Sequence, residues 1–368
     1  MKMFGAILAG GCAFVAVGLL VLWAFAPQVL VLAREGFPAS VLTDRGTYAV
    51  VKGAEAAALP RDLRPLPASA AARFAQSGGR ALLVMQDGVL VMEHYGNGAD
   101  RDTRLNSYSL VKSLVGALVL KAVAEGRITG LDVPLRSLLG ADAPDVSLRD
   151  VMEMTSGLSL SGEPPKDATE KPVDDADFSP FGAVARLQAF GVEAMMPRLK
   201  VEPTLRGTFH YQSVNTALLG RVVAHAYGVP LEEVLSAKIW QPAQASEALW
   251  RVTPGDGAVS AWCCLFARPE DWARVGWFLM TNGDGAFLPR DMWRDWLMPE
   301  ETQPVRYGWQ IRHDVLDRPG AAVQGRFAYM AGHKGQRVYM LPERGTLVVR
   351  FGEQEQLLHS TLYDVLGD

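Results

Sequence analysis

Residues 110–125, LVKSLVGALVLKAVAE, constrain the fold more than any other stretch of the chain. As a helix this segment is apolar almost all the way round, and such a helix belongs inside a protein rather than on its surface. Gly126 supplies its C-terminal stop. Enclosing the helix takes a large core, and the composition provides one. Of 368 residues, 49% are hydrophobic and 21% charged, which excludes wholesale disorder. The length fits one large domain or two intimately joined ones. Lysine and arginine number 36 against 40 acidic residues, a net charge of −4, so the basic footprint of a nucleic-acid binder is missing.

Strand signals lie towards both ends of the chain. Residues 81–85 and 89–94 are apolar runs joined across Gln86-Asp87-Gly88, a strong hairpin signal. Residues 307–312, 327–331, 336–341 and 346–351 read as four more strands, the last pair turned by Pro342-Glu343-Arg344-Gly345. Residues 357–366 read as a closing helix. Between the strand regions the pattern is helical. Segments 147–154, with Ser147 as N-cap, 216–226, 231–239 and 270–280 follow the first helix. Strands from both ends therefore enclose a helical middle. The expected division is 1–35 as a membrane anchor or signal, 36–80 as a linker wrapping the surface, 81–127 with 225–368 as the sheet domain, and 128–224 as a helical domain. Segment 161–180, SGEPPKDATEKPVDDADFSP, is a polar, Pro-rich loop, either a solvated excursion or a rim over a site.

From Phe4 to Leu32 there is no charged residue. Residues 4–26 as one helix would reach about 34 Å, enough for a ~30 Å hydrocarbon core. Lys2 ahead of it keeps the N-terminus in the cytoplasm and sends the rest out, so the expectation is a single-pass inner-membrane protein with a periplasmic catalytic part. A cleaved signal ending at Ala24-Phe25-Ala26 is the competing reading, although Pro27 follows directly; a lipid anchor through Cys12 is weaker. Cys263 and Cys264 are adjacent, and with Cys12 in the apolar segment no structural disulfide is expected.

Ser109-Leu110-Val111-Lys112 is the only Ser-x-x-Lys in the chain, and it opens the buried helix. Residues three apart share a helix face, so the Lys112 amine can reach the Ser109 hydroxyl. Burial among Leu110, Val111, Leu114 and Val115 disfavours the ammonium, and a neutral lysine can take the serine proton. The helix N-terminus offers N–H groups to a developing oxyanion. The competing reading makes Ser109 a plain N-cap. Two further segments carry chemistry. In Phe209-His210-Tyr211-Gln212-Ser213, Tyr211 stands just ahead of a helix, where a phenol near a buried cation can shuttle protons. Gly332-His333-Lys334-Gly335-Gln336 leads into a strand and lets a backbone approach a substrate closely. No Gly-x-Ser-x-Gly elbow, His-x-x-x-His spacing or glycine-rich phosphate loop is present, so neither metal nor cofactor is expected.

Ser-x-x-Lys, Tyr-x-Ser and His-Lys-Gly in this order resemble the penicillin-recognising serine hydrolases: class C β-lactamases, D-Ala-D-Ala carboxypeptidases and related esterases. The arrangement looks most like the 6-aminohexanoate-dimer hydrolase and esterase branch. Residues 146–158, 239–242 and 267–283 match as well, so the resemblance runs from about Ala81 to the C-terminus. It implies an α/β (α+β) β-lactamase/transpeptidase-like fold, with an antiparallel sheet from both chain ends beside a mostly helical domain and the site between them. It also implies Ser109 as acylated nucleophile, Lys112 as its base and Tyr211 as the acid/base. Ser213, where many members have Asn, would contact substrate or Lys112. His333, Gly335 and Gln336 would bind substrate, with the N–H groups of Ser109 and Gln336 forming the oxyanion hole. Two departures stand out: His333 replaces a lysine and Lys334 a hydroxyl residue, which weakens any carboxylate site. Small esters or amides are therefore the expected substrates. β-Lactam or peptidoglycan hydrolysis, or a catalytically weak binding protein on the same scaffold, are the alternatives.

Overall fold

The computed structural model describes residues 16–55, 57–158, 160, 179–300, 306–357 and 359–367. The main sheet contains β2 (Ala81–Gln86), β3 (Val89–Tyr95), β7 (Tyr307–Gly308), β8 (Ile311–Leu316), β9 (Gly325–Gly332), β10 (Gln336–Leu341) and β11 (Thr346–Phe351). Their order is β3-β2-β11-β10-β9-β8-β7, antiparallel throughout. The two ends of the chain meet at the β2–β11 pair, which runs in register from Ala81↔Phe351 to Gln86↔Thr346. The β2–β3 hairpin closes on Asp87 and Gly88, both left-handed at φ 48° and 82°, as a two-residue primed turn requires.

Ahead of the main sheet lie α1 (Ala16–Phe25), α2 (Pro27–Glu35) and α3 (Ala68–Gln76). The helical middle comprises α4 (Leu110–Ala124), α5 (Leu135–Leu139), α6 (Leu148–Met152), α7 (Ala183–Met195), α8 (Ser213–Tyr227) and α9 (Leu231–Leu235). Then come α10 (Pro269–Met280), the turn-like α11 (Asn282–Gly285), α12 (Arg290–Leu297) and the closing α13 (Ser360–Leu366). One sheet face and its helices enclose α4, whose residues from Leu110 to Leu120 are all buried. The other face packs Leu82, Val84, Phe327 and Val348 against Phe74 of α3 and Leu362 of α13. Ser147 caps α6: its hydroxyl accepts from the Asp150 N–H at 3.0 Å while Asp150 accepts from the Ser147 N–H at 3.1 Å.

Three sequence expectations are corrected here. Residues 36–80 are more than a linker. They supply α3 and also β1 (Tyr48–Val51), which joins β4 (Leu105–Asn106), β5 (Ala248–Arg251) and β6 (Leu265–Ala267) in a second antiparallel sheet of order β1-β5-β6-β4. Segment 307–312 is a hairpin rather than one strand. Trp309 and Gln310, at φ 49° and 69°, turn β7 into β8. Cys263 and Cys264 form a disulfide: the chain turns tightly there, with the Cys263 N–H donating to the Ser260 carbonyl at 2.9 Å and Cys264 left-handed at φ 71°.

The expected N-terminal span is described only from Ala16 onward. Among the described residues no single helix is long and apolar enough to cross a membrane. The apolar run breaks at Ala26, and α1 and α2 meet at 107°. Pro27 starts α2, and a proline both lacks an N–H and pushes its predecessor out of helical geometry. Residues 1–15, and loop 161–180 up to residue 178, lie outside the described residues.

Candidate active site

A cavity of about 710 Å³ opens between the end of β9 and the helical middle, and Ser109, Tyr211, Ser213 and His333 all line it. Ser109 stands immediately before α4 and its side chain makes no capping hydrogen bond, so the hydroxyl is not spent on the helix. The approach to it is pinned at each step. The Ser107 N–H donates to the Leu265 carbonyl at 2.9 Å, and the Leu265 N–H returns to the Ser107 hydroxyl at 3.0 Å. Tyr108 is buried and left-handed at φ 44°, held there by its N–H on the Asn106 side chain at 2.8 Å. Backbone strain of this kind persists only where the surroundings over-determine it.

Lys112 is buried one turn into α4. Its Nζ donates to the Ser213 hydroxyl at 2.9 Å and to the Trp262 carbonyl at 3.0 Å. It also lies 5.3 Å from the centre of the Tyr211 ring. Ser213 opens α8 just after Tyr211 and Trp262 precedes the disulfide, so two separate segments converge on the amine that α4 carries. Arg312 of β8 approaches from the other side, its guanidinium 5.4 Å from the Tyr211 ring and 5.5 Å from the Tyr307 ring. Burial drives the Tyr307 phenol's pKa well above the usual range, with Tyr211 adding to the rise, so it stays neutral.

The opposite rim is the turn between β9 and β10. His333 lines the cavity and meets the Tyr108 ring edge-on at 5.4 Å. Burial is the main cause lowering its pKa, so the imidazole is neutral at pH 7. Lys334 reaches the cavity edge, but its Nζ is bonded to Glu353 at 2.6 Å and to the Ser40 hydroxyl at 2.9 Å. Burial opposes the Lys334 charge, yet the Glu353 carboxylate leaves its pKa raised. Beneath the turn, Arg350 donates to the carbonyls of Gly335 at 2.5 Å and Lys334 at 3.1 Å. Burial brings Arg350 down to about 10, still protonated at neutral pH.

Gly335 and Gln336 are not brought to the cavity with the rest. The Gly335 N–H is committed to Glu355 at 2.8 Å. The buried Gln336 amide bridges inward, donating to the His333 and Gly352 carbonyls at 3.0 and 2.8 Å. The chain has already turned away into β10 at this point. It is β9 that borders the cavity, through Tyr329, Ala331 and Gly332. Pairing of β9 with β8 stops at Tyr329↔Arg312, so among the described residues the strand's last residues have no neighbouring strand on that side. A β-carbon on Gly332 would come within 2.5 Å of the Ser107 carbonyl, so glycine is what allows β9 to close on the nucleophile's approach segment. His210, adjacent in sequence to Tyr211, is buried against Gln212 instead of lining the cavity. Reading the sequence missed Arg312 and Tyr329. Arg312 faces the site only because of the Trp309–Gln310 turn, which has neither glycine nor asparagine to mark it.

The β-lactamase family model matches residues 68–361, and the chain belongs to that family. Three solved structures share its fold. A Bacillus anthracis protein provisionally named as a 6-aminohexanoate-dimer hydrolase superimposes with a TM-score of 0.64 at 18% identity, covering 92% of this chain and 91% of that one. A penicillin-binding protein from Bacillus halodurans gives 0.58 at 18% identity, covering 81% and 98%. A D-stereospecific amidohydrolase from Streptomyces sp. gives 0.58 at 14% identity, covering 79% and 95%.

Proposed function

We propose that this chain is a serine hydrolase that cleaves small esters or amides through an acyl-enzyme on Ser109. The carrying observation is the buried Lys112 amine, held by Ser213 and Trp262 against the Tyr211 ring, in the first turn of the helix that Ser109 begins. In the first half-reaction Ser109 Oγ bonds to the substrate carbonyl carbon, and its proton passes to Lys112. Tyr211 relays a proton to the departing oxygen or nitrogen as the scissile bond breaks. In the second, water attacks the acyl ester, gives its proton back through the same pair, and Ser109 Oγ is reprotonated as the acid leaves. In this reading the N–H of Ser109 and the outer edge of β9 near Ala331, which borders the cavity as Gln336 does not, carry the oxyanion. The neutral His333 and the Glu353-bound Lys334 favour ester or amide over β-lactam turnover.

The test is intact-mass analysis of the full chain after treatment with a fluorophosphonate, with Ser109→Ala in parallel. One adduct on the wild type and none on the variant is expected; no adduct on the folded wild type refutes the reading. Short nitrophenyl esters should turn over faster than nitrocefin, and the reverse order would reassign the substrate. The N-terminal run is, in this reading, a membrane anchor that leaves the catalytic part outside the cytoplasm. In support, Trp23 and Phe25 are 69% and 78% exposed on an uncharged α1. Retention in the membrane after alkaline carbonate extraction is expected; release would support the cleaved-signal alternative.

A further inference from the structure

The N-terminal arm does more than lead into the catalytic body. Leu32 of α2, with Phe37 and Pro38 just beyond it, lines the same cavity as Ser109. Leu32 is buried against Ala185 and Ala189 of α7, and Ala185 and Val184 continue the apolar wall. The arm is fastened at its end. Arg251 donates to the Glu35 and Gly36 carbonyls at 3.0 and 2.6 Å, and Asn106 to the Ala39 carbonyl at 2.8 Å. The Asn106 N–H bonds to the Ser40 carbonyl at 2.9 Å, so the arm is stitched to the strand three residues ahead of the serine. The cavity is thus two-sided. The arm and α7 make one side largely hydrocarbon, with Gln188 its polar exception, while Arg312, Arg337, His333 and Lys334 make the other polar.

We infer that the arm forms an acyl-chain subsite, so the natural substrate is an amphiphilic ester or amide with an apolar chain of several methylenes. This rests on the serine-hydrolase reading and names its substrate class. Two observations carry it: Leu32, Phe37 and Pro38 of the arm form one apolar wall with Val184 and Ala185 of α7, and Phe37 remains 45% exposed on the cavity. Among the described residues nothing covers this aromatic fully, and each methylene buried against such a wall is worth about fourfold in binding.

The experiment measures kcat/KM for p-nitrophenyl octanoate and p-nitrophenyl acetate, using the full chain in phospholipid nanodiscs. Wild type, Phe37→Ser and Phe37→Leu are compared. The expected result is a wild-type preference for octanoate, an octanoate-to-acetate ratio about tenfold lower in Phe37→Ser, and a ratio kept in Phe37→Leu. The inference is overturned if wild type shows no chain-length preference. It is equally overturned if Phe37→Ser slows both esters alike and keeps the ratio, since that marks a merely structural residue. Acetate turnover with a labelled Ser109 sustains the hydrolase reading whichever way the ratio falls. Absence of both turnover and labelling overturns that reading and this inference with it.

Discussion

The two sides of the cavity are held in different ways. On one side Lys112 is buried, and its partners, a hydroxyl and a carbonyl, arrive from different parts of the core. On the other side the rim's side chains Lys334 and Arg337 are tethered by part-exposed ion pairs to Glu353 and Glu355, above a turn backbone that the buried Arg350 holds from below. Buried neutral partners cost the full desolvation of whatever is left unpaired, whereas exposed ion pairs are screened and worth little. The buried amine is therefore placed where disruption is expensive, and the rim's ion pairs where it is cheap.

The largest effect expected is from Lys112→Ala. It should reduce kcat by about 10³-fold and, by removing the amine's bonds to the Ser213 hydroxyl and the Trp262 carbonyl, destabilise the fold by about 1–3 kcal/mol in urea titration. Full activity in that variant would erase the distinction between the two sides. Tyr211→Phe should lower kcat by about 10²-fold with little change in KM, as measured in steady state. Equal changes in both would make it a binding residue only. A smaller effect concerns His333. Because burial depresses its pKa, its imidazole signals in NMR should titrate with a midpoint below the ordinary 6.5. The folded state then binds less proton than the unfolded chain. His333 stability is complete above the unfolded pKa and is lost as pH falls towards the folded one.

The smallest effect is expected from Lys334→Ala, with kcat/KM changed less than about threefold and stability by less than about 1 kcal/mol. The pair's contribution has a definite pH window. For Glu353, burial raises the pKa, but hydrogen bonds from Lys334, Arg80 and Ser40 bring it below the carboxylate range. The contribution should fade as pH falls through the Glu353 pKa, and again as pH rises through the raised Lys334 pKa. A tenfold loss of activity in Lys334→Ala would show that the rim matters to the chemistry after all.

What could be read from the sequence follows the same division between strong local signals and tertiary ones. α4 was legible to within a residue because its pattern admits no surface face. The Asp87-Gly88 hairpin was legible because its two residues favour the left-handed turn, and Ser147 because its capping partner is three residues on. The Trp309–Gln310 turn was not legible, since tertiary contacts hold it. The Gln310 amide donates to the Val151 and Met152 carbonyls and accepts from Thr216. Strands β1 and β4–β6 were missed because runs of two to four residues are too short to show alternation. The disulfide was missed because nothing local reports that Cys264 is left-handed. Ser109, Tyr211, Ser213 and His333 line one cavity and Lys112 bonds to Ser213 at its wall, but Gln336 does not join them, because Arg350 holds the turn from below.

The pairing of β2 with β11 has a consequence for how this protein comes into being. Ala81 lies opposite Phe351, and the chain emerges from the ribosome N-terminus first. The hairpin β2–β3 can form early, but alone it is marginal in water. Its apolar inner strand has no mate until nearly the whole chain has been made. Closing so long a loop is slow, and an open strand edge in the meantime is a template for association with other chains. Maturation is therefore gated by arrival of the final strands. Truncation even a few residues before Phe351 should leave nascent chains that aggregate instead of partly active ones, a difference visible in the soluble fraction of C-terminal deletions.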